Sequence, residues 1–171
     1  MMRVDLVAPG ADLMEMDALL SILDFSKDPA YFRRCVDESP AARAVMMARV
    51  DQKAVGICVV NFASSYPLFK RLNIPEIQDL NVAAGARHQG VGSALLYAAE
   101  ELARARGHTD IGIGVGIAAS YGAAQRLYAR RGYIPDGAGA SQDDQTVRLG
   151  ELRTVDDRLC LYLVKELGVS R

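Results

Sequence analysis

Apolar and polar residues alternate along the chain with two different periods, which predict helices and strands. Over residues 90–106 the apolar side chains recur at steps of three and four, so they lie on one face of a helix. Residues 44–50 and 54–61 are rich in apolar side chains, and the short polar segment 51–53 between them favours an antiparallel hairpin. The other predicted strands cover residues 3–7, 76–82, 110–117 and 158–165, and a further strand begins at residues 133–135. Of the other predicted helices, one begins at residue 12, and two cover residues 29–38 and 120–131.

Turn-forming residues mark the segments between these elements. We expect residues 62–75, which prolines and serines punctuate, to form a loop that covers a site, and the polar residues 136–157 to form a second loop. Pro40 is expected to end the helix over residues 29–38, because proline cannot continue a helix. Antiparallel strands come first and two strand–helix units follow, so we predict an α/β layered fold with a mixed sheet in one domain over residues 1–171.

The composition narrows the possible partners. The chain has 171 residues, 50% of them apolar and 24% charged, as is typical of a soluble globular domain. A formal net charge of -1 argues against nucleic acid as a partner. No apolar run approaches the ~20 residues that cross a bilayer, so no membrane partner is expected. Cys35, Cys58 and Cys160 form no Cys-x-x-Cys motif, which argues against a disulfide framework or a metal site and favours a cytoplasmic location.

A glycine-containing segment follows the predicted strand 76–82 and opens the best-defined helix. The two glycines allow the backbone to turn close to a ligand, and the free amides at the start of a helix suit phosphate oxygens. An arginine at the start of the segment can add a charge-assisted contact. The alternative is a turn that only starts a helix. The segment consists of Arg87, His88, Gln89, Gly90, Val91, Gly92 and Ser93.

Two motifs give the chain its resemblance to a known family. They are Arg87-x-x-Gly90-x-Gly92, and Gln125-Arg126-Leu127-Tyr128 four residues before Gly132-Tyr133. The first resembles the coenzyme A pyrophosphate loop of the GNAT superfamily of acyl-CoA-dependent N-acyltransferases, and the second is similar to that superfamily's second cofactor helix. The resemblance implies a three-layer fold with a central mixed, splayed sheet flanked by helices. It also implies an N-acetyltransferase that takes acetyl-CoA as acyl donor, needs no metal and works by direct attack in a ternary complex.

The resemblance also implies how coenzyme A is bound. Residues 87–93 would hold the pyrophosphate, and the backbone at Leu80 and Val82 would pair with the pantetheine arm as a small-molecule strand addition. One position departs from the family pattern. Tyr121 stands where many members have an asparagine that contacts the cofactor.

Two residues are candidates for proton transfer. A protonated amine must lose a proton before it attacks, and Glu76, 11 residues before Arg87, is similarly placed to the general base of some superfamily members. Strand alternation puts Glu76 and Asp79 on opposite faces, so Asp79 is the alternative base. Tyr128 matches the family tyrosine that protonates the leaving thiolate. The competing interpretations are a solvated residue at the start of a strand for Glu76 and a core aromatic residue for Tyr128.

The strand over residues 110–117 has an unusual face. Gly112, Gly114 and Gly116 alternate with branched aliphatic residues, so one face carries almost no side chains. Either a ligand or a packed element approaches it. The spacing Gly114-x-Gly116-x-x-Ala119 also matches a dinucleotide-binding motif. Such a site requires its glycines in a turn, whereas we expect these glycines within a strand.

The sequence leaves the acceptor open. A small-molecule amine is the expected substrate, and a homodimer is compatible with the family. The acceptor pocket is expected from residues 25–38, 66–72 and 136–157, where four aspartates either attract a cationic amine or are solvated surface charge. These are Asp143, Asp144, Asp156 and Asp157. A non-catalytic acyl-CoA sensor is the alternative function.

Overall fold

The computed structural model describes residues 1–23, 28–38 and 41–168, and it packs into two compact units. The first consists of Met1–Phe62 with Ile77–Leu102, and the second of Ala63–Glu76 with Ala103–Arg171. The strands are β1 (Met2–Leu6), β2 (Arg43–Val50), β3 (Lys53–Asn61), β4 (Glu76–Val82), β5 (Asp110–Gly116), β6 (Ile134–Gln142), β7 (Gln145–Thr146) and β8 (Leu159–Glu166). The helices are α1 (Met14–Ile22), α2 (Pro29–Asp37), α3 (Pro67–Leu72), α4 (Val91–Ala105) and α5 (Gly122–Arg130), and single 3₁₀ turns cover Ala84–Ala86 and Ala119–Tyr121.

The first unit contains the predicted hairpin. β1, β2 and β3 pair antiparallel in that order, and β4 follows β3 in the sheet. Val50 pairs with Lys53, so only Asp51 and Gln52 form the turn, with φ of 47° and 69°. Two residues of positive φ give the turn type that suits the right-handed twist of paired strands. The prediction of a hairpin is confirmed, with a connection one residue shorter than expected.

Helices α1 and α2 cover this hairpin with apolar side chains. Asp28 caps α2 by accepting a hydrogen bond from the Ala30 amide at 2.9 Å, and proline occupies the first turn, where a missing amide costs nothing. The predicted role of Pro40 in ending α2 lies outside the described residues. The buried cluster includes Met16, Leu19, Leu20, Phe32, Cys35, Val36, Val45, Met47, Ile57 and Val59.

Helix α4 packs closely on β3 because of one glycine. A Cβ atom at Gly56 would lie 3.0 Å from Val91, 3.1 Å from Leu95 and 3.2 Å from the Asn81 carbonyl oxygen, all tighter than ordinary contacts. The predicted helix over residues 90–106 is confirmed within one residue at each end. This packing fixes the first turn of α4, the part of the helix that the sequence marks for ligand binding.

The second unit contains the antiparallel order β5-β8-β6-β7. β5 and β8 pair over their whole length, whereas the pairing of β6 with β8 breaks between Pro135 and Ala140. Gly137 and Gly139 have φ of 87° and 79° within this irregular stretch. Such a bulge bends a strand and redirects the neighbouring side chains.

Two predicted loops are wrong. Within residues 62–75 the chain forms α3, which proline begins and Asn73 ends in the left-handed region at φ 54°. Within residues 136–157, residues up to Gln142 belong to β6, and a short hairpin to β7 follows. The proline and the asparagine that suggested turns instead begin and end the short helix α3. In β6, the glycines of the bulge obscure the strand period.

Aromatic rings fill the bare face of β5. A Cβ atom at Gly112 would overlap the Phe69 ring, and one at Gly114 would lie 3.2 Å from Tyr162. A Cβ atom at Gly116 would lie 2.5 Å from the Tyr121 ring. Close packing, rather than clearance for a ligand, therefore accounts for these glycines. Their position inside β5 also agrees with the expectation that they do not form a dinucleotide-binding turn.

No helix within the described residues is both long and apolar enough to span a bilayer.

We expect Gly112→Ala to destabilise the protein by about 1–3 kcal/mol, because the new methyl group overpacks the site that the Phe69 ring fills. Chemical denaturation measures the change. The matched control is Gly122→Ala, where the new Cβ atom would lie 3.5 Å from the Arg126 guanidinium, an ordinary contact in a helix. An unchanged denaturation midpoint for Gly112→Ala would show that the rings yield easily. Partial recovery in Gly112→Ala/Phe69→Leu would identify the overlap as the cause.

Candidate active site

The predicted phosphate-binding segment is an exposed turn that leads into α4. His88 and Gly90 both adopt positive φ, at 61° and 84°. The Ala94 amide donates to the Gly90 carbonyl at 3.0 Å, where the helical hydrogen-bond ladder begins. The amides of residues 91–93 precede the ladder and point out of the helix start, where the helix dipole adds positive charge. The turn therefore has the geometry that an anion requires.

Two side chains stabilise this turn from within. Arg87 Nε donates to the Val82 carbonyl oxygen at 3.2 Å, and Gln89 Nε2 donates to the Gly85 carbonyl oxygen at 2.9 Å. Both residues are exposed. Arg87 thus lies at the turn with its cationic end accessible to solvent, as a contact to phosphate would require.

Strand β4 is not regular. Leu80 and Val82 are half-buried. Asp79, which directly precedes Leu80 in the strand, has a φ of 53°. A residue with positive φ departs from the extended backbone on which the expected alternation of faces along this strand depends. The irregularity has no signature in the sequence, because aspartate is only one of several residues that tolerate this conformation.

Asp79, the alternative base, is engaged by a tyrosine. Tyr31 donates its hydroxyl to Asp79 Oδ2 at 2.9 Å, and its ring lies edge-on to Phe32. Burial, and then the negative charge of Asp79, raise the pKa of Tyr31 above its ordinary value, so the hydroxyl stays a donor. The Arg43 guanidinium lies over the same ring, 6.0 Å from its centre.

Glu76 is buried rather than solvated. Its exposed fraction is 6%, and Ser64 Oγ donates to Glu76 Oε2 at 2.6 Å. The same Ser64 oxygen accepts a hydrogen bond from the Tyr66 amide at 3.1 Å, which fixes its position. The interpretation of Glu76 as a solvated residue at the start of a strand is therefore wrong. Its role as general base stays a prediction.

Tyr128 is a buried residue of α5. Its exposed fraction is 5%, and its ring centre lies 6.1 Å from that of Tyr133. The Tyr128 carbonyl accepts hydrogen bonds from the Arg131 and Tyr133 amides, and Gly132 ends the helix at φ 87°. The second family motif thus forms the helix end that the sequence predicts. Glu76 and Tyr128 belong to the second unit, and residues 87–93 belong to the first.

A pair of stacked tyrosines, which sequence reasoning missed, lies near Glu76. The Tyr66 and Tyr162 rings stack with centres 3.6 Å apart and planes 13° from parallel. Tyr66 donates its hydroxyl to Asp136 at 2.6 Å, and Tyr162 donates to Asp144 at 2.7 Å. Burial first, and these carboxylates next, raise the pKa of both tyrosines, so both hydroxyls remain donors at neutral pH. One sign of this pair stands in the sequence. Tyr162 of β8 pairs with Gly114 of β5 and shares the face of the β5 glycines.

The aspartates of residues 136–157 have two kinds of partner. Asp143 and Asp156 form ion pairs with Arg158 at 3.3 and 2.7 Å. Asp144 and Asp157 instead accept tyrosine hydroxyls, with Tyr121 donating to Asp157 at 2.8 Å. Burial, followed by Asp157, raises the pKa of Tyr121 to about 12. Tyr121, which replaces the family asparagine, therefore contributes to packing in this protein.

The remaining candidates show no metal-binding arrangement. His108 Nδ1 lies 3.1 Å from the Asn73 carbonyl oxygen, and His88 lies in the exposed turn. In the part of the chain that the structure describes, no group of three or more His, Cys, Asp or Glu side chains could hold a metal ion.

The sequence model of the acetyltransferase (GNAT) family matches residues 13–133, more than half of the chain. The chain belongs to this family. Its members combine a strand, a pyrophosphate loop and a helix in the order found at β4, residues 87–93 and α4. A search of curated proteins by sequence finds no significant match.

Solved structures of similar fold include members of this family. The chain is similar to a structure from Desulfovibrio desulfuricans assigned to the GNAT family, with 16% identity, a TM-score of 0.71 and coverage of 98% of this chain and 100% of that one. The ribosomal-protein-S18-alanine N-acetyltransferase from Escherichia coli is 16% identical, with a TM-score of 0.71 over 100% and 97% of the two chains.

A third similar structure is a GNAT family acetyltransferase from Elizabethkingia anophelis with acetyl-CoA bound. It is 16% identical, with a TM-score of 0.64 over 96% of this chain and 97% of that one. At these identities the likeness concerns the fold. The predicted α/β class with a mixed sheet flanked by helices is confirmed.

We expect the Cys160 thiol to react slowly at neutral pH. Burial first, with the charges of Asp144, Glu76 and Asp136 also contributing, raises its pKa to about 11, against a hydrogen bond with Tyr162 that lowers it. In a Cys35→Ala/Cys58→Ala variant, the rate of reaction with a thiol reagent should rise about tenfold per pH unit from pH 8 to 10, because only the thiolate reacts. The same variant in urea is the control and should level off near pH 9. A folded protein that also levels off near pH 9 would contradict the raised pKa.

Proposed function

We propose that the protein is an acetyl-CoA-dependent N-acetyltransferase that acts on a small-molecule amine in the cytoplasm. The observation that carries the proposal is the exposed turn at residues 87–93, whose positive φ values at His88 and Gly90 aim the first amides of α4 outward. Membership in the acetyltransferase family indicates acetyl-CoA as the acyl donor, and the pyrophosphate of this molecule suits such a turn. The acetyl-CoA in the Elizabethkingia anophelis structure supports the same donor.

Donor binding divides between two parts of the first unit. The amides of residues 91–93 at the positive end of the helix dipole and the guanidinium of the exposed Arg87 bind the pyrophosphate. The half-buried backbone at Leu80 and Val82 pairs with the pantetheine arm. The positive φ of Asp79 supports this assignment, because a residue in the left-handed region departs from the extended backbone that regular strand pairing requires.

Transfer proceeds by direct attack in a ternary complex. The ammonium group of the acceptor gives a proton to the Glu76 carboxylate, and the neutral nitrogen attacks the thioester carbonyl carbon. The new C–N bond forms, the attached nitrogen loses its second proton, and the C–S bond breaks as the Tyr128 hydroxyl gives its proton to the departing thiolate. The second nitrogen proton restores the Tyr128 hydroxyl, and the proton held by Glu76 leaves to solvent. The products are the N-acetyl amine, coenzyme A and one proton. The burial of Glu76 beside Ser64 supports its role, because the Ser64 hydrogen bond holds the carboxylate in a defined position.

Gly90→Val should weaken acetyl-CoA binding by at least about tenfold, because valine does not tolerate the φ of 84° that shapes the turn. Isothermal titration measures the affinity, and NAD titrated in parallel should give no heat. Gly150→Val is the matched control: Gly150 has a φ of 88°, and a Cβ atom at either glycine meets open space. Equal affinity in wild type and Gly90→Val would refute the assignment of the turn.

Glu76→Gln and Tyr128→Phe should each lower kcat by about 10²-fold or more while acetyl-CoA still binds. The defect of Glu76→Gln should shrink as pH approaches the acceptor pKa near ~10, since the free amine then no longer needs a base. Tyr133→Phe, which removes a hydroxyl from the neighbouring buried tyrosine, should keep its rate. Acetyl-CoA binding without transfer to any amine in wild type would favour the sensor function instead.

A further inference from the structure

Two aspartates flank the stacked tyrosines of the second unit. Asp136 lies at the bulge of β6, and Asp144 lies in the turn between β6 and β7. Each accepts a hydroxyl from one member of the stacked pair, Tyr66 and Tyr162. Both rings are buried, whereas both carboxylates are half-exposed. A rigid aromatic stack thus holds two carboxylates where solvent reaches them.

Neutral groups donate to all four oxygens of these carboxylates. Asp136 accepts the Tyr66 hydroxyl and the Ala138 amide, and Asp144 accepts the Tyr162 and Ser65 hydroxyls. A carboxylate oxygen has room for a second hydrogen bond beside the one it accepts here. Hydroxyl and amide donors leave the two negative charges in place. The pair therefore suits a positively charged partner.

A second, independent feature points to a ligand at the same place. The Ser141 hydroxyl oxygen is buried and has no hydrogen-bond partner among the residues that the structure describes, and the exposed fraction of the residue is only 1%. Ser141 pairs with Cys160 across the sheet, and paired residues of antiparallel strands project to the same face. Tyr162, two residues beyond Cys160, projects to that face as well. A buried hydroxyl without a partner is costly, so a bound donor would stabilise it.

Three carboxylates of the second unit act on the same thiol. The pKa of the Cys160 thiol is raised by burial and also by Asp144, Glu76 and Asp136. The carboxylate proposed as the general base and the two tyrosine-held carboxylates therefore act on one neighbourhood within the second unit.

We propose that the acyl acceptor carries a second cationic group, and that Asp136, Asp144 and the Ser141 hydroxyl hold this group while the other nitrogen reacts. The inference rests on the proposed acetyltransferase function. It narrows the substrate class to small diamines and related dications. The second ammonium group supplies three N–H donors, one for each of the three residues that would hold it.

Diamines and monoamines of equal length provide the test. Initial rates with acetyl-CoA are measured by thiol release for 1,3-diaminopropane, 1,4-diaminobutane and 1,5-diaminopentane, each beside the monoamine of the same chain length. We expect at least one diamine to exceed its monoamine about tenfold or more in kcat/KM, the scale of one charge-assisted hydrogen bond. Ratios near one for all three pairs would overturn the inference.

Two variants identify the residues responsible. Asp136→Asn/Asp144→Asn should bring the ratio to about one, because asparagine keeps one acceptor oxygen for each tyrosine hydroxyl and removes the negative charge. Asp143→Asn is the matched control in the same turn. Asp143 is exposed and pairs with Arg158, so its ratio should equal that of wild type. Asparagine tolerates the positive φ of both Asp143 and Asp144. A diamine preference that survives in the double variant would refute the assignment.

Binding without turnover separates this inference from the proposed function. The chain has 7 tyrosines and no tryptophan, so its ultraviolet emission reports tyrosines directly. Each diamine and monoamine is titrated into protein without acetyl-CoA. Selective diamine binding that Asp136→Asn/Asp144→Asn abolishes, without acetylation of any amine, would support the cation site and refute the transferase. Equal transfer to both amine types without selective binding would support the transferase and overturn the cation site.

Discussion

The close approach of aromatic rings to the glycines of β5 is the constraint on which the second unit depends. Any Cβ atom at Gly112 or Gly116 would overlap a ring, so side chains are excluded there. The stack of Tyr66 on Tyr162 lies on the same face, because Tyr162 is paired with Gly114. The stack in turn fixes the carboxylates that its hydroxyls reach. A backbone without side chains thus determines where negative charge lies.

The first unit combines one closely packed glycine with one residue of positive φ. Gly56 lets α4 approach β3, which sets the height of the helix start above the sheet. Asp79, with a φ of 53°, lies on the strand that leads into the turn at residues 87–93. The free amides at the start of α4 lie next to this turn. Such groups are what a phosphorylated, extended ligand requires.

Sequence patterns predicted the long elements well and the short ones poorly. The hairpin of β2 and β3 and the helix α4 have strong periods, and their predicted bounds agree with the structure within one residue. Helix α3 is too short to show a period, and the bulge of β6 disrupts one. Among the site residues, the turn at 87–93 was predictable because glycine and helix start coincide. The tyrosine–aspartate pairs were not, because their members lie 18 and 70 residues apart.

The division of the chain into units has a consequence for how such a protein can diversify. Of the three boundaries, the first falls between Phe62 and Ala63 after β3, the second between Glu76 and Ile77 inside β4, and the third between Leu102 and Ala103 inside α4. Neither unit is a continuous stretch of sequence, so recombination cannot exchange one as a cassette without cutting a strand or a helix. New specificities must therefore arise by point substitution and by changes in the lengths of connections such as the one from β7 to β8.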